Sequence, residues 1–175
     1  MFWKRKKKTN NTCEICGQEH ESLPSIGFNE PHYYSILDDD EKREITEINP
    51  DFCIIKHDDQ TDFFIRTFLR IDLNDACGCF DYGVWVSVSQ KTFDEYHSEF
   101  NSADKAKSYF GRIANEIGDY DESTLGIHVN VDTNLNGNRP ELSPHESTHQ
   151  LVQDWKAGIS KREAENRINM LSNSN

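Results

Sequence analysis

The chain has 175 residues, with 19 basic against 31 acidic side chains and 11% aromatics. A domain runs to roughly 100–200 residues, so one domain is the default. No stretch approaches the ~18–20 consecutive apolar residues of a membrane-spanning helix, which excludes such a span. Five cysteines, an odd number, without a secretory leader argue against a complete disulfide framework and for a cytoplasmic location. Residues 1–11 read as a flexible basic tail carrying Lys4, Arg5, Lys6, Lys7 and Lys8, and residues 12–172 as a single domain. From residue 9 onward 14 basic face 31 acidic side chains, a formal charge of −17. That charge repels phosphate backbones and makes DNA an unlikely partner, whereas a basic protein partner suits it.

In chain order, Thr12 to Pro24 is a compact turn-rich unit containing CEICG and His20. Asp38 followed by Glu41 matches an N-terminal cap pair and predicts one short helix between Pro31 and Asn49, stopped by Pro50. Phe52 to His57 alternates as a strand. Along Phe63 to Leu73, one face carries Phe63, Ile65, Thr67, Leu69, Ile71 and Leu73, and the other carries Arg66, Arg70 and Asp72, which predicts a half-buried strand in a hairpin with its predecessor. Tyr82 to Ser89 repeats the pattern with Val84, Val86 and Val88 against Trp85 and Ser87.

Helical spacing takes over at Phe93, Tyr96 and Phe100 after the cap residue Ser89. Ala106, Phe110, Ile113 and Ile117 continue helical spacing after Ser102 and stop at Gly118, which predicts two short helices or one broken one. Ile127, Val129 and Val131 predict a strand, followed by a polar loop through Asn134, Asn136, Gly137 and Asn138 towards Arg139 and Leu142. Leu151, Val152 and Trp155 predict a helix to Gly158. A last helix is capped by Ser160 with Glu163 and carries the stripe Ala164, Ile168 and Leu171. Strands first and helices later give an α+β fold with a mainly antiparallel sheet, helices packed on it, and an N-terminal unit like a zinc knuckle.

Three sets of residues carry chemistry. Cys13 and Cys16 form a CxxC followed by Gly17, a geometry that aims two thiolates at one tetrahedral zinc. The remaining ligands would come from His20, Cys53, Cys77 or Cys79, with Cys13, Cys16, His20 and Cys53 the preferred set and the zinc structural. His145, Glu146, Ser147, Thr148 and His149 spell HExxH, the signature of a zinc hydrolase. Pro144 immediately before it places His145 in a first turn at best, which favours a polar loop leading into a capped helix. Arg66, Trp85, Arg139 and His149 could line a groove for an anionic ligand or a partner, because guanidinium forks bind carboxylate or phosphate.

CEICGQEH with Leu23 and Pro24, then DFCII, FFIRTFLRI, YGVWVSVS with Phe93, STLG, Arg139 with Pro140, His149 with Leu151, and Gly158 to Ser160 resemble the bacterial family catalogued as domain of unknown function 2199. The resemblance spans about residues 12–171. It implies a shared fold, with cysteines at the positions of Cys13, Cys16 and Cys53 and a histidine at that of His20, and it implies no reaction. Cys77, Cys79 and the basic leader fall outside that pattern. The resulting expectation is a zinc-stabilised, non-catalytic binding protein, an inhibitor or immunity-type neutraliser of a basic partner. The alternative is a zinc-dependent hydrolase using the HExxH at 145–149.

Overall fold

A computed structural model describes residues 10–12, 19–21, 23–100, 105–133 and 138–172, the first two segments and residues 171–172 by backbone alone. The expected basic tail lies almost wholly outside the described residues. The chain begins with β1 (Asn10–Thr12), β2 (Glu19–Glu21), β3 (Ile26–Gly27), α1 (His32–Ser35), α2 (Asp39–Ile45) and β4 (Thr46–Ile48). It continues through β5 (Phe52–Lys56), β6 (Thr61–Asp72), β7 (Cys79–Val88), α3 (Gln90–Glu99) and β8 (Ser108–Ile113). Last come β9 (His128–Asp132), β10 (Glu141–Pro144), α4 (Gln150–Ala157) and α5 (Lys161–Ser172). None of these helices is long and apolar enough to cross a membrane.

The alternating residues of β6 and β7 pair as a long antiparallel hairpin, from Phe63 opposite Val88 to Asp72 opposite Cys79. Ile65, Leu69, Ile71, Phe80, Tyr82, Val84 and Val86 fill one face and are fully buried, as period-two alternation requires. From β7 the chain meanders antiparallel through β8, β9 and β10, and β10 then pairs with β6 in parallel, Glu141 opposite Phe68. An odd number of alternating strands leaves the last one parallel to the first, so the five-stranded sheet closes into a barrel without a reversal. Closure pairs the first and last strands of the meander and leaves β3 and β4 as the edge strands of the sheet.

The long strands outrun their neighbours, and both outer edges are therefore shared. On β6, β5 occupies Thr61–Ile65 and β10 takes over at Phe68. On β7, β3 pairs at Tyr82–Gly83 and β8 at Val86–Ser87. The second fork is sealed. Trp85 N donates to Asn115 Oδ1 at 2.7 Å, Asn115 Nδ2 donates to the Glu30 carbonyl at 2.9 Å, and Trp85 Nε1 reaches the Phe28 carbonyl at 3.2 Å.

Helices cover what the barrel leaves exposed. Asp38 and Glu41 form the expected reciprocal cap of α2. With α1, this helix lays Tyr34, Leu37 and Ile45 over Cys53, Ile55, Phe64, Trp85 and Ala114 on the outer face of the sheet. Ser89 caps α3, whose Phe93 and Tyr96 pack on Phe52 with ring centroids 5.6 and 5.9 Å away. At the other end, Arg167 of α5 joins Asp154 at 2.8 Å, Tyr120 Oη at 2.8 Å, Tyr82 Oη at 3.2 Å and Glu163 at 2.9 Å. Arg167 and Asp154 side chains are only 7% and 10% exposed, so this is a buried pair with its hydrogen bonds satisfied.

The sequence expectation holds for the hairpin, α3, β9, α4 and α5, and for a mixed α+β fold. It fails at 106–117, where the expected helix is the strand β8. Tyr109, Gly111 and Ile113 face inward while Ser108, Phe110 and Arg112 face outward, a period of two that the wider helical spacing concealed. Glycine is needed there because a Cβ on Gly111 would lie 2.9 Å from Val131 Cγ2 and 3.2 Å from the Ser87 carbonyl. β10 also forms within the segment read as a polar loop, β3 lies between the expected turn-rich unit and helix, and the one helix expected between Pro31 and Asn49 is α1 and α2 followed by the strand β4.

Two stability outcomes follow. Gly158 has φ 73°, and a Cβ there would sit 2.7 Å from the Asp72 carbonyl. Gly158→Ala therefore lowers unfolding free energy by about 2–3 kcal/mol in urea titration, whereas Gly118→Ala, which meets nothing within 4 Å, changes it by less than about 0.5 kcal/mol. Arg167→Met leaves Asp154 buried without its cation and costs about 3–5 kcal/mol; Arg167→Met combined with Asp154→Leu recovers most of that loss.

Candidate functional site at the fork of β5 and β10

Two successive amides on one edge of β6 bond to different strands. Arg66 N donates to the Asp51 carbonyl at 2.9 Å, and Phe68 N donates to the Pro140 carbonyl at 3.0 Å. Between these points β5 and β10 part. Asn49 Oδ1 accepts from the amides of Asp51 and Phe52, each at 2.9 Å, which fixes the turn that presents Asp51. Arg139, held next to Pro140, spans the gap: its Nε donates to Asp51 Oδ1 at 2.8 Å and its Nη2 to the Pro50 carbonyl at 3.3 Å.

Arg66 stands on the outer face opposite Trp85, with its guanidinium carbon 5.9 Å from the indole centroid. Trp85 is fully buried and so forms the floor under the cation. Gly27 and Gly83, paired across β3 and β7, leave room beside it, and a Cβ on Gly27 would come 3.6 Å from Arg66 Nη2. Arg66 Nε is buried and has no hydrogen-bond partner among the described residues. The same holds for Tyr96 Oη, on a side chain that is 5% exposed.

Both groups sense the Asp51–Arg139 pair. Burial first, then the Arg139 cation, pushes the Arg66 guanidinium down, while Asp51 opposes the shift. Burial first, then Asp51, pushes the Tyr96 hydroxyl up, and Arg139 opposes it. Alongside runs an open cleft of about 750 Å³ lined by Asp51, Phe68, Arg70, Phe100, Arg139 and Glu141. Arg70 in it is held by Asp81 at 3.2 Å. A buried donor without an acceptor costs roughly 1–3 kcal/mol. Arg66 Nε on the outer face is a donor suited to an oxygen-rich anionic group, while Tyr96 Oη lies on the core side with Phe52.

Of the four groove residues expected from sequence, the structure brings Arg66, Trp85 and Arg139 together, with Trp85 as floor and not as open wall. His149 lies elsewhere. It caps α4 by accepting from Leu151 N at 3.0 Å on Nδ1, its Nε2 is 3.2 Å from the Glu122 carbonyl, and its ring packs on Tyr120. The HExxH segment is not helical: 145–149 is the turn between β10 and α4, as Pro144 suggests. His145 turns to Asn130 Oδ1 at 2.8 Å and Glu146 pairs with Lys156 at 2.5 Å. The imidazoles have separate partners and do not present two ligands from one helix face, which corrects the hydrolase geometry.

Among the proposed zinc ligands, Cys13 and Cys16 lie outside the described residues, and His20 is placed by backbone alone, opposite Asn11. Cys53 is fully buried under α1 and α2 among Ile55, Phe64 and Trp85. Burial, with Glu30 adding to it, pushes its thiol up to about 12. Among the described residues no three His, Cys, Asp or Glu side chains converge. Cys53 is thus packed as a thiol among apolar side chains, and the residues expected to share an ion with it, Cys13 and Cys16, lie outside the described residues. Cys77 and Cys79 sit at the β6–β7 turn, where Cys79 is opposite Asp72.

Sequence reasoning missed Asp51. It follows the helix-stopping Pro50 and had a turn signal only. What gives it a polar role is the fork, a non-local feature.

No curated protein and no solved structure matches the chain. A family profile described as an uncharacterized protein conserved in bacteria (DUF2199) matches residues 12–159, which include every residue of the fork and leave out α5. The chain belongs to the DUF2199 family.

Proposed function

We propose that the chain is a non-catalytic binding protein that takes an oxyanion-bearing group, carboxylate or phosphate, at the β5/β10 fork. The observation that carries this reading is the buried donor Arg66 Nε, without a partner among the described residues, on the β6 residue whose amide meets the Asp51–Arg139 ion pair through the Asp51 carbonyl. An oxyanion accepting from Arg66 Nε recovers that donor's desolvation cost and adds a charge-assisted bond. Arg66 is already pressed against Trp85, so little side-chain entropy is lost on binding. The basic protein partner expected from composition rests on net charge alone.

The test is thermal unfolding and calorimetric titration with acetate and with inorganic phosphate, at ionic strength matched with chloride. A ligand at 100 times its Kd stabilises by about 2.7 kcal/mol, a rise of several degrees in Tm for a domain of this size. Arg66→Ala abolishes the rise. Tyr96→Phe leaves the unliganded protein within about 0.5 kcal/mol of the parent, because the hydroxyl it removes has no partner to lose. No rise with either anion, or an equal rise in Arg66→Ala, overturns the reading.

We also propose a structural zinc in the N-terminal unit. β1 and β2 pair antiparallel, so the segment connecting them is the one that carries the CxxC, and His20 follows on β2. Cys13, Cys16, His20 and Cys53 would hold the ion, and it would staple the N-terminal unit to β5. Metal analysis of protein purified without added zinc is expected to give about one zinc per chain. Cys13→Ser and Cys53→Ala are each expected to lose the metal; retention in Cys53→Ala removes Cys53 from the ligand set.

A further inference from the structure

The outer face of β9 and β10 brings two histidines together. In β9, Val129 and Val131 are buried, which turns His128 and Asn130 outward; in β10, Leu142 and Pro144 are buried, and His145 follows on the outer side. The antiparallel register runs on past Pro144, opposite Val129, to His145, whose amide donates to the His128 carbonyl at 2.9 Å. The two side chains are therefore cross-strand neighbours, with ring centroids 6.3 Å apart. A zinc ion sits ~2.0–2.1 Å from a ligating imidazole nitrogen and hence ~3.2 Å from the ring centre, so one ion can join centroids up to ~6.4 Å apart. The pair lies within that reach.

His145 is also held in orientation. Its Nε2 is 2.8 Å from Asn130 Oδ1, and with Oδ1 as acceptor the proton is on Nε2 while Nδ1 keeps its lone pair. Histidines that ligate metals are commonly fixed in this way through their other nitrogen. No hydrogen bond or ion pair occupies the exposed His128 ring among the described residues. Phe110, 49% exposed, packs against both rings, with centroids 5.2 Å from His128 and 5.8 Å from His145, and so limits the rotamer freedom that binding would cost. Arg112 stands opposite His128 on β8 and opposes a dication there, but its guanidinium lies over the Phe110 ring. At long range the formal charge of −12 on the chain favours cations.

We propose that His128 and His145, the latter oriented by Asn130, bind a divalent transition-metal ion of the class that prefers imidazole, such as nickel or zinc, with water completing its coordination. This site is separate from the β5/β10 fork and from the zinc of the N-terminal unit.

Calorimetric titration of the full chain with Ni²⁺ at pH 7.5 and fixed ionic strength tests it. One saturable equivalent is expected, and Mg²⁺, which prefers oxygen ligands, does not compete for it. His128→Gln and His145→Gln each weaken it at least about tenfold, Asn130→Ala weakens it by about tenfold, and Cys13→Ser leaves it unchanged. His128 is exposed, so its variant keeps the fold and carries the test by itself should His145→Gln not fold. Absence of a saturable equivalent, binding unchanged in His128→Gln, or competition by Mg²⁺ overturns the proposal. Loss in Cys13→Ser assigns the ion to the N-terminal unit and overturns it as well. Binding unchanged in Asn130→Ala overturns the orienting role of Asn130 alone.

Discussion

The Arg66 and Phe68 amides leave the same edge of β6 and end on different strands. Much of the molecule depends on that divergence. Because β10 takes over the edge that β5 vacates, the meander from β6 to β10 closes into a barrel while β5 and β4 remain attached as an extension. The divergence also opens a crevice that no backbone hydrogen bond can fill, and the Asp51–Arg139 pair bridges it. The matching fork on β7 is plugged by Asn115 and Trp85. One fork is thus closed by side-chain hydrogen bonds to the backbone, and beside the other Arg66 Nε has no acceptor among the described residues.

That contrast separates structure from function among the buried polar groups. Arg167 is as deeply placed as any cation in the protein, yet its Nε, Nη1 and Nη2 all have acceptors, and it joins α5, α4, β7 and the segment around Tyr120. A satisfied network of this kind is explained by the packing it secures. Arg66 is less buried but leaves Nε without a partner, and the cost of that desolvation has no structural return. The cost becomes understandable when an acceptor from outside the chain completes the site.

The two motifs that catch the eye in the sequence fare differently. HExxH needs both histidines on one helix face, and Pro144 ends β10 so that the five residues become a turn, with His145 facing β9 and His149 serving as a helix cap. The CxxC, Cys13 to Cys16, falls outside the described residues. Cys53, expected at the same ion on family resemblance and on its position at a strand start, sits in an apolar layer under α1 and α2. Spacing in sequence can bring Cys13 and Cys16 together, but it carries no information on which side of β5 a single cysteine will face once helices cover one of them.

Local chemistry was enough for much of this protein. Period-two alternation gave the β6–β7 hairpin and its buried face, Asp38 with Glu41 gave the cap of α2, and Ser89 and Ser160 gave the starts of α3 and α5, because each depends on residues within a few positions of one another. The sequence also singled out Arg66 and Arg139 as polar candidates. Only the tertiary structure decided that they meet, that Asp51 joins them, and that 108–113 is a strand. Those outcomes depend on barrel closure between β10 and β6, residues about seventy positions apart joined by a single parallel pairing. A contact of that range leaves no periodic trace in the chain, since it is set by which strand edge remains open after the others have paired.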